Sequence, residues 1–556
     1  MRNFTAPLAV LALLIAPAAV PAQEVVTVAG VEATRVVIAP PQTELARIIK
    51  EGLSEAYFGA QRNTRAHAQA QKLYFFYGSR HFEPLWLTEH ENGEIVFSER
   101  AAKIIDVFRK AALEGFRPSD YLTPELDVAA AGTDPVKLAA LETAFSAAVA
   151  RYAQDAYGGR VAPSEVSRLW TIEPRRINEA EILMQLAASE APDQILYDLS
   201  PKHREFLALK AALAKFYDGR VIDTAVTIPD GPLLRPGKKD ERVTLLRQRL
   251  DVPEPEIPET AGAEAAADIT YDEALVAAVI AFQESLGLTA DGIVGPATVA
   301  ALNGGSATTK EDIIANMERW RWEPESFGDF HVHVNIPEFR LVIMDGERLH
   351  YTTRVVVGTP RNQTPVFNDE IEYIVVNPYW NVPASIAVNE IAPRLMNNPG
   401  YLAGQNMELL YGGRVVNAAA VDWSTTSIRN FSIRQRPGAG NALGQIKFLF
   451  PNQHDVYLHD TPSKSLFQRS FRAYSHGCIR VQNPMEFADA LLAREPGLTR
   501  ASLEKQFGPR EAWNTLKTHI PVHITYFTLR VDEDGHIRSF GDVYGHNKQL
   551  ITLLGL

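Results

Sequence analysis

The sequence predicts an α+β multidomain protein whose helical N-terminal half precedes a mainly β C-terminal half. Three observations carry this reading. At 556 residues the chain exceeds what one hydrophobic core can serve, so two to four domains are expected. Apolar residues recur at helical spacing behind Ser98-Glu99-Arg100, through Ala101, Ile104, Ile105 and Phe108. From His331 onward the period drops to two: His331 to Ile336, Arg340 to Met344 and Thr353 to Val357 alternate, and Asp345-Gly346 supplies a hairpin turn.

Arg2, the apolar run Leu8 to Ala19, and Val20-Pro21-Ala22 at the start read as a secretory signal over 1–22, cleaved after Ala22. The alternative is an uncleaved membrane anchor. The run falls short of the ~20 residues a spanning helix needs, and no later stretch approaches that length. A periplasmic protein is expected.

Residues 40–238 form a helical scaffold, with further helical patterns at Leu138 to Tyr157 and Pro201 to Tyr217 and no chemical constellation. Residues 241–305 change texture. Val243 to Leu250, Tyr271 to Gln283 and a third helix starting at Pro296 predict a small three-helix bundle. Leu286-Gly287-Leu288 closes the second helix, Asp291-Gly292 turns into the third, and that one ends near Leu302-Asn303. The Pro/Glu/Ala-rich stretch 252–268 reads as a flexible insertion. After a helical connector, Asp312 to Trp320, the β domain occupies 325–546, with more strands at 373–376, 447–450, 456–458 and 522–529. Residues 386–432 look irregular or helical and interrupt the sheet as an active-site lid would. Asn483-Pro484 opens a helix that reaches Leu492.

A net charge of -12 argues against general nucleic-acid binding, which needs a concentrated basic surface. The single cysteine is more telling, because an exported chain with one Cys cannot form an internal disulfide. That residue is either buried and inert or kept for its reactivity. It sits in Tyr474-Ser475-His476-Gly477-Cys478-Ile479-Arg480, and Tyr457-Leu458-His459-Asp460 ends a strand upstream. A thiol becomes a competent nucleophile as its thiolate, and an imidazole can take its proton. His459 is the candidate base. In an extended chain His476 would share the face of Cys478 and help orient the sulfur. Gly477 permits close approach, so its N–H and that of Cys478 could serve an oxyanion. A carbonyl or hydroxyl beside the imidazole would suffice to orient it.

Two rival readings stand beside this one: an inert buried Cys between structural histidines, and a zinc site from His454, His459, His476 and Cys478, whose spacings fit no common zinc pattern. His331 and His333 share one strand face and read as packing or surface residues. Trp320 and Trp322 read as core anchors, whereas Trp380, before Asn381-Val382-Pro383, reads as a site residue. Asn335, Asn377 and Arg434 suggest no role.

The pairing of Tyr457-Leu458-His459-Asp460-Thr461-Pro462 with Ser475-His476-Gly477-Cys478-Ile479-Arg480 resembles the active-site signature of YkuD-type L,D-transpeptidases. Asn316 to Trp322, Val334 to Pro337, Asn377 to Pro383 and Pro437 to Gly444 are similar to the large, YcbB-like branch, and the FQ…GL…DG series of 241–305 resembles a peptidoglycan-binding type 1 domain. The resemblance implies a mainly β YkuD-like catalytic domain with a lid and a cysteine acyltransferase without metal or cofactor. It also implies peptidoglycan stem peptides, and glycan, as partners, alongside other cell-wall synthesis proteins. Cys478 would be the nucleophile and His459 the base, with a backbone oxygen near Asp460 as orienter and His476 and Gly477 assisting. Arg480, Tyr457, Trp380, Ser475 and Asp460 would line the substrate site, and carbapenems would acylate the thiol. Water or a protein amine could replace the stem amine as acceptor, and a non-catalytic wall-binding scaffold is the alternative from a different class.

Overall fold

The structure, a computed structural model, describes residues 24–26, 36–217, 228–229, 231–250, 252–253, 255, 269–285, 288–302, 308–532 and 535–556. The expected signal at 1–22 and most of the 252–268 stretch lie outside these, as do Leu286, Gly287 and Asn303. Two compact units result: one of 1–112, 116–154 and 177–199, the other of 113–115, 155–176 and 200–556.

The first unit is mainly helical. Ser98 accepts the Ala101 amide at 3.2 Å and starts the helix Glu99–Arg109, which buries Ala101, Ile104, Val107 and Phe108 along one stripe. The buried Glu142 carboxylate accepts the Tyr77 hydroxyl at 2.7 Å and the Trp86 amide at 3.1 Å, so a polar group is satisfied inside the helical core.

In the second unit, helices Arg242–Leu250, Glu273–Ser285 and Pro296–Leu302 pack around Val243, Leu246, Leu275, Val279 and Val299. One glutamine explains the motif between the last two. Gln283 is buried, accepts the Gly292 amide at 2.9 Å and donates to the Ile293 carbonyl at 3.0 Å. It thereby pins a turn in which Gly292 has φ +66°. The helix Lys310–Trp322, expected as a connector, is a core element instead. Ile313, Met317 and Trp320 join the main core, and its buried Arg321 faces Glu318 at 3.5 Å and Glu114 at 3.8 Å. Trp320 and Trp322 are core residues too.

Among the described residues the β half is built on a nine-stranded sheet. Its strands are β1 (Phe330–Asn335), β2 (Arg340–Asp345), β3 (Arg348–Gly358), β4 (Phe367–Val376), β5 (Ile446–Leu449), β6 (Leu458–His459), β7 (Ala473–Ser475), β8 (Ile479–Val481) and β9 (Ala512–Thr525). The order is β7-β3-β8-β6-β5-β4-β9-β1-β2, and pairing of β2 with β3 closes it on itself. Ile374, Val376, Ile446, Phe448, Leu458, Ile479 and Val481 point inward to the core. His331 and His333 are buried beside His523 and Phe327, as packing residues.

Between β4 and β5 the chain leaves the sheet and builds a subdomain of its own. The sequence suggests irregular or helical structure here; the structure adds four short strands, Trp380–Asn381, Met407–Tyr411, Arg414–Val416 and Ser432–Gln435, in one sheet. Ala387, Ile391, Leu395, Leu402, Leu409 and Ile433 form its separate core. Among the described residues no helix is long and apolar enough to cross a membrane.

Candidate active site

The two-residue strand β6 sets the geometry. It runs antiparallel to β5, with Lys447 opposite His459, and parallel to β8, with His459 opposite Arg480. Residues opposite one another present side chains on the same face, and alternate residues share a face. With Phe448, Leu458 and Ile479 turned inward, Lys447, His459 and Arg480 stand together on the outer face. Tyr457 and Cys478 flank the β6–β8 ladder one step earlier, and the Ile479 amide donates to the Tyr457 carbonyl at 3.1 Å.

Cys478 is delivered by a reversal. The chain runs along β7 beside β3, turns through His476-Gly477-Cys478, and returns as β8. Gly477 makes the turn with φ +116°, a conformation an L side chain resists. Ser475 fastens it: its hydroxyl donates to the Cys478 carbonyl at 2.5 Å and accepts the Gly477 amide at 3.1 Å. Thr364, fully buried, donates from its hydroxyl to the Gly477 carbonyl at 2.8 Å. Two expectations change here. The turn means that His476 and Cys478 do not lie on one extended strand, and the Gly477 amide is committed to Ser475 rather than open to an oxyanion.

The His459 ring places Nδ1 2.5 Å from the Asp460 carbonyl oxygen. That carbonyl can only accept, so Nδ1 carries the hydrogen and Nε2 keeps its lone pair. Burial, with help from Arg480 and Lys447, pushes the imidazole down to about 3. Burial also raises the Cys478 thiol to about 11, against the opposing pull of the Tyr457 amide and hydroxyl and the Arg480 charge. At neutral pH the pair is therefore a thiol beside a neutral imidazole. The partly exposed sulfur makes its hydrogen bond to the Asp455 carbonyl, at 3.8 Å, and none to His459.

The remaining candidates divide. Tyr457 adjoins the sulfur, and its ring stands 5.7 Å from that of His459. Arg480 is partly buried, and its Nε has no hydrogen-bond partner among the described residues. Asp460 gives its carboxylate to Lys464, at 2.6 Å, and to the Gln445 amide, at 3.0 Å, leaving its carbonyl for the imidazole. His476 reaches the subdomain between β4 and β5, with Nε2 2.8 Å from Glu390. Trp380 lies on that subdomain's sheet opposite Gln435, just after β4. His454 turns to Thr171 at 2.9 Å. Among the described residues no group of three His, Cys, Asp or Glu side chains is arranged to hold a metal ion.

Sequence reasoning missed Lys447, Asn377 and Asn335. Asn377, at φ +51°, donates to the Gln506 and Arg510 carbonyls and accepts the Gly508 amide, clamping the chain after β4. Asn335 does the same for Phe527. A lone asparagine carries no signal of such a role. Arg434 pairs with Glu408 at 2.7 Å in the inserted sheet.

Three protein families match separate stretches of the chain: a scaffold domain at 71–213, a peptidoglycan-binding domain family at 255–302, and the L,D-transpeptidase catalytic domain, YkuD, at 329–503. A Haemophilus influenzae protein named as a candidate L,D-transpeptidase is 34% identical over 253 residues, which are 44% of this chain and 50% of that protein. The chain thus spans half the length of that relative. Among solved structures, the L,D-transpeptidase of Xylanimonas cellulosilytica matches with 18% identity and a TM-score of 0.18, over 53% of this chain and 99% of that one. The L,D-transpeptidase of Stackebrandtia nassauensis matches with 14% identity and a TM-score of 0.22, over 53% and 96%. Scores that low carry no argument about geometry.

Proposed function

We propose, from the premise that this chain carries a YkuD-family L,D-transpeptidase catalytic domain together with a peptidoglycan-binding domain, that it cross-links peptidoglycan stems through Cys478 outside the cytoplasm. The observation that carries the reading is that Cys478 leads into β8 beside the strand that bears His459, with the imidazole oriented by the Asp460 carbonyl. In the first step the thiol proton passes to His459 Nε2 while sulfur attacks the carbonyl at the L-centre of diaminopimelate in a tetrapeptide stem. The amide C–N bond breaks, the D-Ala nitrogen takes the proton from the imidazolium, and a thioester remains. In the second step the amine of a neighbouring stem attacks, its proton returns to sulfur through His459, and a 3→3 cross-link results.

With the Gly477 amide engaged, the oxyanion falls to the Cys478 amide and the Tyr457 hydroxyl. The Arg480 guanidinium takes a substrate carboxylate. The inserted subdomain acts as a lid that excludes water and so favours an amine acceptor. Carbapenems acylate the same sulfur. Export through the N-terminal signal, or an uncleaved anchor there, places the protein in the periplasm.

Incubation of the purified chain with tetrapeptide stems, read by mass, tests this. Stem dimers with loss of D-Ala are expected, and Cys478→Ala should give none. Loss of D-Ala without dimers would make the enzyme an L,D-carboxypeptidase. No turnover, or undiminished cross-linking by Cys478→Ala, would overturn the proposal.

A further inference from the structure

Lys447 is the least explained charge on the outer face. It is 7% exposed, and among the described residues its ammonium makes no hydrogen bond and no ion pair within 4.0 Å. Two rings hold it instead, Tyr457 at 5.7 Å and Trp513 at 5.3 Å from their centroids. Both oxygens of the nearby Glu511 are engaged, one by the Tyr379 amide at 2.9 Å and the other by the Trp513 indole N–H at 3.1 Å. Burial works against the Lys447 charge and Glu511 and Cys478 favour it from a distance, yet neither binds the ammonium directly; a methionine would fill an aromatic slot without that cost. Its register places it directly beside His459, with Arg480 on the other side of the same imidazole. Adjacent strands lie ~4.8 Å apart, so the two cations stem from backbone positions about 10 Å apart, with the base between them.

We propose that Lys447 is a second anion-recognition residue of this site: it and Arg480 bracket the imidazole so that an acidic donor peptide is held by one carboxylate on each side of the bond under attack. This deepens the transpeptidase reading and rests on it for the identity of the peptide. A stem tetrapeptide suits the arrangement, because its terminal D-Ala supplies a carboxylate beyond the scissile amide and its acidic residues supply others before it. A donor amidated at one of these groups leaves one cation unmatched, which makes Lys447 a selector between acid and amidated stems.

The test compares alkylation of Cys478 by iodoacetate and by iodoacetamide on the full chain, reagents that differ in charge and little in size. The ratio of the two rates should fall about tenfold in Lys447→Met and largely recover in Lys447→Arg. A charge acting only on the thiol would change both rates alike and leave the ratio where it was, so an unchanged ratio in a folded Lys447→Met protein overturns the proposal. A second measurement needs no variant: glutarate should protect the wild-type thiol from iodoacetamide, and its diamide should not. Equal protection by the two, or none by either, counts against the site. Stems carrying single carboxamides then separate this idea from the one beneath it. Loss of preference at one carboxylate in Lys447→Met and at another in Arg480→Met supports both. Stems left unprocessed while the reagent ratio falls would remove the transpeptidase reading and keep the anion site; stems processed with an unchanged ratio would do the reverse.

Discussion

At the scale of single residues, the reactive pair rests uncharged. With the thiol held at about 11 and the imidazole at about 3, the thiolate fraction near neutrality is on the order of 10⁻⁴. Alkylation by iodoacetamide should therefore rise steadily, close to tenfold per pH unit, from pH 7 to about 10. A plateau with a midpoint below pH 8 would show that a thiolate–imidazolium pair exists before substrate arrives. Because the base acts during attack rather than at rest, His459→Gln should lower acylation by stems roughly 10²–10⁴-fold, yet leave iodoacetamide alkylation at pH 10 nearly unchanged. Comparable losses in both would assign the ring a packing role. The nucleophile and base were legible in the sequence because thiol and imidazole chemistry narrows the choice to few side chains. Lys447 was not, since a lysine in an alternating strand reads as solvated until the fold shows its aromatic slot. Nor was the loss of the Gly477 amide to Ser475, which depends on how the turn closes.

At the scale of elements, the inserted subdomain stands on its own core but touches the reactive turn through Glu390 and His476. Its ends are neighbours: the Val382 amide donates to the Ile433 carbonyl at 2.9 Å, and Asn381 pairs with Arg434. A short glycine turn replacing 386–432 should therefore close without strain and leave the main sheet intact. One cooperative thermal transition should survive, while cross-linking falls at least tenfold and hydrolysis gains on it. Loss of the transition would mean that the segment is structural. Glu390→Gln is a milder probe. The Glu390–His476 contact it alters is nearly half exposed on both sides, so stability should change by about 1 kcal/mol or less, whereas the KM for stems should rise severalfold. An unchanged KM would reduce the contact to an incidental surface pair. Much of this element was hidden in the sequence because its strands are only two to five residues long. One signal was present: Gly412-Gly413, at φ +55° and +78°, is the two-residue turn that joins Met407–Tyr411 to Arg414–Val416. The larger sheet was easier to read where its strands are long, as in β1 to β4 and β9, whereas the two- and three-residue strands β6 to β8 are too short to show a period.

At the scale of the whole molecule, buried titratable groups give the fold a defined pH range. Burial lowers His459 to about 3 and both His523 and His546 to about 4, and it holds His333 well below the ordinary value of 6.5. Below pH 6.5 the unfolded chain takes up protons at these rings before the folded chain does. The stability they allow is thus present above that pH and is lost progressively as pH falls toward 4. Glu323 works in the opposite direction. Buried, and raised by that burial from 4.5 to about 8, it is protonated in the folded state at neutrality. Its contribution is complete below pH 4.5 and disappears as pH rises through 8. A tenfold difference in proton affinity between folded and unfolded chain is worth ~1.4 kcal/mol at most, so several histidines against one carboxyl should cost the protein a few kcal/mol or more between pH 7 and 4.5. The melting temperature is expected to fall over that interval and, more gently, above pH 7. Glu323→Gln isolates the second arm, since an amide fills the same space without titrating. The variant's melting temperature minus that of the wild type should increase from pH 5 to about pH 8 and level off above it, and a difference that stays flat throughout would place Glu323 in contact with water or with a cation.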